Sequence, residues 1–103
     1  RKSMNVWVVY DIESSKAGDK RQRKIVKTME QLGLYRVQKS VFSGTLVKNR
    51  LDELTVFAKN LINPQTDSVY LFPLCEADFK AVRTLGLGFD KELIADTKRE
   101  MFL

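Results

Sequence analysis

At 103 residues, with 44% hydrophobic and 30% charged side chains and only five Gly and two Pro, the chain is sized for one globular domain without long flexible linkers. It has no histidine and a single cysteine, Cys75, which excludes imidazole catalysis, His-ligated metals, an internal disulfide and multi-cysteine zinc or iron–sulfur centres. The net charge of +5 is uneven: residues 1–50 hold twelve Lys/Arg against four Asp/Glu and residues 51–103 hold six against nine, so the first half either meets a polyanion or is simply a solvated basic surface.

Residues 1–3 precede Met4, which reads as a start site, and they stand outside the fold argument. Residues 5–10 (NVWVVY) are apolar on both strand faces and predict a central strand ending at Asp11. Residues 13–19 (ESSKAGD) read as a loop by composition. Residues 20–32 predict a helix, with Ile25, Met29 and Leu32 at i, i+4 and i+7, Asp19 as N-cap and Gly33 just past the end. Arg21, Arg23, Lys24 and Lys27 cluster in its first two turns. Cations there oppose the helix dipole, which hints at a binding role.

Residues 34–42 and 43–47 read as strands of a hairpin broken near positions 40–44. Residues 48–62 predict a second amphipathic helix on Leu51, Leu54, Phe57, Ala58, Leu61 and Ile62, ended by Asn63-Pro64. Residues 67–75 (DSVYLFPLC) predict a fourth strand, placed at a sheet edge by Pro73, with Cys75 as a small buried thiol at its end.

The order β-α-β-β-α-β is that of an α+β, ferredoxin-like sandwich: one four-stranded sheet with two helices on one face. Large apolar residues on the other face predict a homodimer. Residues 1–103 then form a single domain, in which 76–103 are a C-terminal extension. Its expected parts are a short helix over 76–85 on Phe79 and Val82, a fifth strand over 84–89 and a terminal helix over 90–103. No apolar run approaches the roughly 20 residues that span a bilayer, so the expectation is a cytoplasmic protein without a membrane partner.

Asp11 is the sharpest chemical feature. A carboxylate at the end of a central strand is rigidly held at the sheet rim, where α/β sheets take ligands; it also reads as a cap of the following turn. One carboxylate is a poor Mg²⁺ site. A two-fold axis through the rim would bring a second Asp11, and one shared Mg²⁺ could then act on a phosphodiester without histidine. Tyr10 points to the other face and reads as core. Arg21, Arg23 and Lys24, with Arg36 and Lys39 on the next strand, are candidate phosphate contacts. Phe42 reads as core or as a base-stacking platform.

Together V-V-Y-D-I at positions 8–12, R-x-R-K at 21–24, G-L-Y-R-V-Q-K-S-V-F-S-G at 33–44 and D-S-V-Y-L-F-P-L-C at 67–75 resemble the CRISPR-associated protein two family, over roughly residues 4–75. The resemblance implies CRISPR adaptation, that is, spacer acquisition, by a ferredoxin-like homodimer whose C-terminal segment extends the partner's sheet. It implies Mg²⁺ at Asp11, and Mg²⁺-dependent endoribonuclease or endonuclease activity on RNA or duplex DNA. Some members instead serve as a non-catalytic adaptor bridging dimers of the CRISPR integrase subunit on protospacer DNA. By position, Tyr10, Asp11, Arg36 and Phe42 match the family's functional pattern. The loop before the first helix is longer than in some members, so Arg21, Arg23 and Lys24 all stand for its arginine roles. A toxin-type ribonuclease of the same fold is a further alternative. An RNA-recognition module is disfavoured because residues 40–46 (SVFSGTL) lack its aromatic pattern.

Overall fold

A computed structural model of the chain describes residues 3–86. Its elements run β1 (Ser3–Asp11), α1 (Lys16–Gln31), β2 (Tyr35–Gln38), β3 (Val41–Val47), α2 (Lys48–Leu61), β4 (Ser68–Leu74) and α3 (Glu76–Ala81). The four strands form one antiparallel sheet in the order β2-β3-β1-β4, the ferredoxin-like arrangement.

Alternation along β1 divides the sheet. Val6, Val8 and Tyr10 are buried, and they form one core with Phe42 and Leu46 of β3, Ile25 and Met29 of α1 and Leu54 and Ala58 of α2. Both helices therefore cover the same face. The cross-strand partners Trp7, Ser43 and Phe72, together with Val9, Val41 and Tyr70, lie on the other face, which no helix of the shared core covers. The central strand is covered by α1 and α2 on one face, and on the other it is half-buried at Asn5, Trp7 and Val9, with the short α3 packed against β1 and β4.

Helix α1 starts four residues earlier than the composition of its loop suggests. Ser15, not Asp19, is the N-cap, and its hydroxyl accepts from the Gly18 amide at 3.0 Å. Gly18 is buried here, and a Cβ in its place would overlap the Glu13 carbonyl oxygen. Asp19 falls in the first turn, where an acidic side chain complements the dipole. The helix closes as expected at Gly33 (φ 88°): its amide donates to the Glu30 carbonyl and that of Leu34 to the Met29 carbonyl, both at 3.0 Å, which is a Schellman closure.

The hairpin turn falls at Lys39 and Ser40, at the start of the region expected to hold it, with a register shift between Arg36 and Gln38. Helix α2 matches its apolar stripe. Strand β4 is an edge strand, where Pro73 costs no ladder bond on the solvent side. Cys75 is exposed rather than buried, and its Sγ accepts from the Asp78 amide at 3.4 Å as the cap of α3. Of the expected extension, α3 is formed and buries Phe79, whereas residues 82–86 carry neither helix nor strand. The remainder of the strand read over 84–89, and the helix read over 90–103, lie outside the described residues. None of the described helices is long and apolar enough to cross a membrane.

Candidate nucleic-acid and metal site

Strand β1 carries Asp11 out to the rim of the sheet. The pleat that turns Tyr10 into the core turns Asp11 onto the free face, where it is exposed opposite Ser68 of β4. Its carboxylate makes no hydrogen bond or ion pair with another described residue, so it does not serve as a turn cap. The described residues hold no group of three or more His, Cys, Asp or Glu that could ligate a metal. As a donor set, Asp11 suits Mg²⁺ in kind, being a hard, ionisable oxygen ligand on a rigid strand. In number it is the lower of the one or two carboxylates with which proteins hold Mg²⁺.

Tyr10 is only 2% exposed, and its hydroxyl donates to the Lys39 carbonyl at 3.1 Å, tying the end of β1 to the hairpin turn. Phe42 is fully buried, with the Arg36 guanidinium 5.4 Å from its ring centroid. Neither ring reaches the surface that carries Asp11. In this fold both pack the core, and Phe42 offers no open platform for a base. Arg36 and Lys39 remain exposed on β2 and the following turn.

The basic residues of α1 separate into two groups. At 100° per residue, Lys16, Lys20, Arg23, Lys24 and Lys27 fall within an arc of about 100° on the helix, and all five are exposed. Lys16 falls in the stretch that reads as a loop by composition, and Lys20, the first residue of the expected helix, is not among the cations singled out from sequence. Arg21 points elsewhere. Its Nε donates to Asp67 Oδ2 at 2.8 Å and its Nη2 to Oδ1 at 3.4 Å, leaving its side chain 18% exposed.

Asp67, which sequence reasoning passed over as the first residue of a strand, is the one buried carboxylate among the described residues. Oδ1 also accepts from the Glu13 amide (3.0 Å) and the Thr66 hydroxyl (2.9 Å), and Oδ2 from the Asn63 amide (3.0 Å). Burial alone would push its pKa up. The Arg21 guanidinium, then the two amides and the hydroxyl, outweigh burial and hold it well below the usual carboxylate range.

These features define a class: a small basic ferredoxin-like domain with one strand-end carboxylate on the sheet face away from α1 and α2, and a cationic stripe on its first helix. Residues 4–82 match the family described as CRISPR associated protein Cas2, and the chain belongs to that family. A solved structure of Streptococcus pyogenes Cas2 superposes with a TM-score of 0.70 at 31% identity, covering 81% of this chain and all of that one. The chain is also similar to the CRISPR-associated endoribonuclease Cas2 of Korarchaeum cryptofilum, at 29% identity over 84% of this chain and 88% of the relative. It is 36% identical to the CRISPR-associated endonuclease Cas2 of Halalkalibacterium halodurans over 69% of this chain and 74% of the relative.

Proposed function

We propose that the chain acts in CRISPR spacer acquisition as a homodimer with Mg²⁺-dependent endoribonuclease or endonuclease activity, its metal shared by the Asp11 carboxylates of two copies. The observation that carries this reading is the Asp11 carboxylate, which has no partner among the described residues and is rigidly placed on a sheet face rich in exposed aromatics. Two copies meeting through that face would pool two hard oxygen ligands that one chain lacks. Bound Mg²⁺ supplies charge neutralisation at a phosphodiester and an acidified water. The protein's own residues do the rest. The α1 stripe, with Arg36 and Lys39, holds the nucleic-acid backbone, and Tyr10 and its bond to Lys39 keep the end of β1 fixed.

One observation favours a second reading. The cationic stripe lies on the helix layer and Asp11 on the opposite face of the sheet, so duplex DNA can bind the stripe without reaching Asp11. In that case the chain is a non-catalytic adaptor that bridges dimers of the CRISPR integrase subunit on protospacer DNA.

The two readings separate in one experiment: Mg²⁺-dependent cleavage of single-stranded RNA and duplex DNA by wild type and Asp11→Ala, with duplex binding measured alongside. The nuclease reading expects cleavage to fall to the chelator background in the variant while binding is retained. Wild type that binds duplex in a salt-dependent way and cuts neither substrate across pH and metals overturns it in favour of the adaptor.

A further inference from the structure

We propose that Asp67, clamped by Arg21, is a positioning residue for Asp11: one buried carboxylate fixes both backbone segments that flank the Asp11 rim. The inference rests on the metal reading above only for the consequence of that positioning.

Asp11 is the last residue of β1, and on one side of it the chain continues into the β1–α1 loop. The Glu13 amide, two residues on, donates to Asp67 Oδ1. On the other side, Asp11 faces Ser68 across the β1–β4 ladder, and Ser68 follows Asp67 directly. One residue therefore holds the exit of β1 through its side-chain hydrogen bond and is joined to Asp11's ladder partner through the main chain. Asp67 itself cannot swing, because both oxygens are occupied: Arg21 reaches them from α1, and the Asn63 amide and Thr66 hydroxyl from the turn before β4.

The loop is closed from its other end as well. The Glu13 carbonyl accepts from the Ser15 amide at 3.1 Å, the Glu13 carboxylate from the Ser15 hydroxyl at 2.9 Å, and Gly18 leaves room for the Glu13 carbonyl against the first turn of α1. Among the described residues Asp11 has no hydrogen bond of its own, so within them it is oriented through its backbone, and here that backbone is pinned on each side. Arg21 thus spends its guanidinium on the scaffold of the rim, apart from the exposed stripe that faces a polyanion.

The test compares the full-length chain with Asp67→Ala, Asp67→Asn, Arg21→Ala and Asp11→Ala. A further variant, Leu46→Ala, is the control. Leu46 is buried beside Met4, seven residues back along β1 and about 23 Å from Asp11, and it lowers stability without touching the rim. Two readouts are taken, amide hydrogen exchange at residues 11–13 and Mn²⁺ affinity by electron paramagnetic resonance, each compared at equal distance below the thermal midpoint.

We expect Asp67→Ala and Arg21→Ala to speed exchange at residues 11–13 well beyond Leu46→Ala, and Asp67→Ala to weaken Mn²⁺ binding about tenfold. Asp67→Asn, which keeps an oxygen for the Glu13 amide, should fall between wild type and Asp67→Ala. Exchange at residues 11–13 that matches the Leu46→Ala control overturns the proposal and leaves Asp67 as a stabilising pair only. So does Mn²⁺ binding that needs Asp11 yet ignores Asp67. If Mn²⁺ binding is indifferent to Asp11→Ala, the metal reading fails, and the exchange data still decide whether Asp67 positions the rim. Should Asp67→Ala not fold, Asp67→Asn and Arg21→Ala carry the same comparison.

Discussion

Asp67 shows how a charge can sit inside a small domain. Its side chain is fully shielded, and every direction from which water would have solvated it is filled by a donor. Removing the carboxylate leaves Arg21 partly buried without its counter-ion, so Asp67→Ala should cost about 3 kcal/mol by urea denaturation. The pH dependence has a definite sign. The folded pKa is depressed, so the stabilisation is complete above the unfolded value of about 3.9 and is lost as the pH falls from about 5 towards the folded value. The gap in urea midpoint between wild type and Asp67→Asn should therefore be flat from pH 6 to 8 and close progressively below about pH 5. A gap that does not change with acidification would mean the carboxylate's charge is not what stabilises this corner. The same pairing makes a statement about binding. The salt slope of duplex affinity should fall by about 0.9 for Lys24→Ala if that residue neutralises one phosphate, and should be unchanged for Arg21→Ala, whose charge is already answered.

At the scale of the element, the start of α1 is where chemistry and composition part. Ser14, Ser15 and Gly18 are loop-forming residues by propensity, and a reading by composition stops the helix after them. In the fold the Ser15 hydroxyl and the close pass of the Glu13 carbonyl turn the same residues into a cap and a first turn. Gly18→Ala is accordingly expected to destabilise by about 1–2 kcal/mol, because overlap with a backbone carbonyl outweighs the better helix propensity of Ala. Urea denaturation reads this directly, and a neutral or stabilising effect would show that the loop can give way. The other elements were legible because their signals are local. A short continuous apolar run marks β1, the i, i+4, i+7 stripes mark α1 and α2, Gly33 marks a helix end, and Pro73 marks an edge. Asp11 was legible for the same reason: a two-residue period decides which face of a strand its last residue occupies. What was hidden depends on pairing across the chain. The Arg21–Asp67 bond spans 46 residues, and the exposure of Cys75 follows from its use as a cap for α3; the burial of Tyr10, by contrast, was read from its strand position.

For the whole molecule, the deciding feature is the sheet face that α1 and α2 leave uncovered. Tyr35, Tyr70 and Phe72 are 37%, 56% and 46% exposed there, and the rings of Tyr70 and Phe72 stack nearly parallel, 6.3 Å between centroids. Three large rings in water around the half-buried Val9 and Val41 are costly to leave exposed in a domain this small. An isologous contact between two copies would cover them on both chains with one surface. It would also bring each Asp11 onto the same interface, so on the proposed function oligomeric state and metal chemistry are one property. Replacing Tyr70 and Phe72 together with Ser should leave the far-ultraviolet spectrum intact, since neither ring belongs to the core, and should shift sedimentation equilibrium from dimer to monomer. The weakened dimer should also show Mg²⁺-dependent cleavage whose rate per chain rises with protein concentration, because the site forms only on association. Affinity of each chain for short duplex DNA through the α1 stripe should persist. A double variant that remains dimeric would move the interface elsewhere. One that becomes monomeric yet cleaves at undiminished rate per chain would show that a single Asp11 suffices, and would remove the shared-metal arrangement while leaving the family's fold and the rim carboxylate in place.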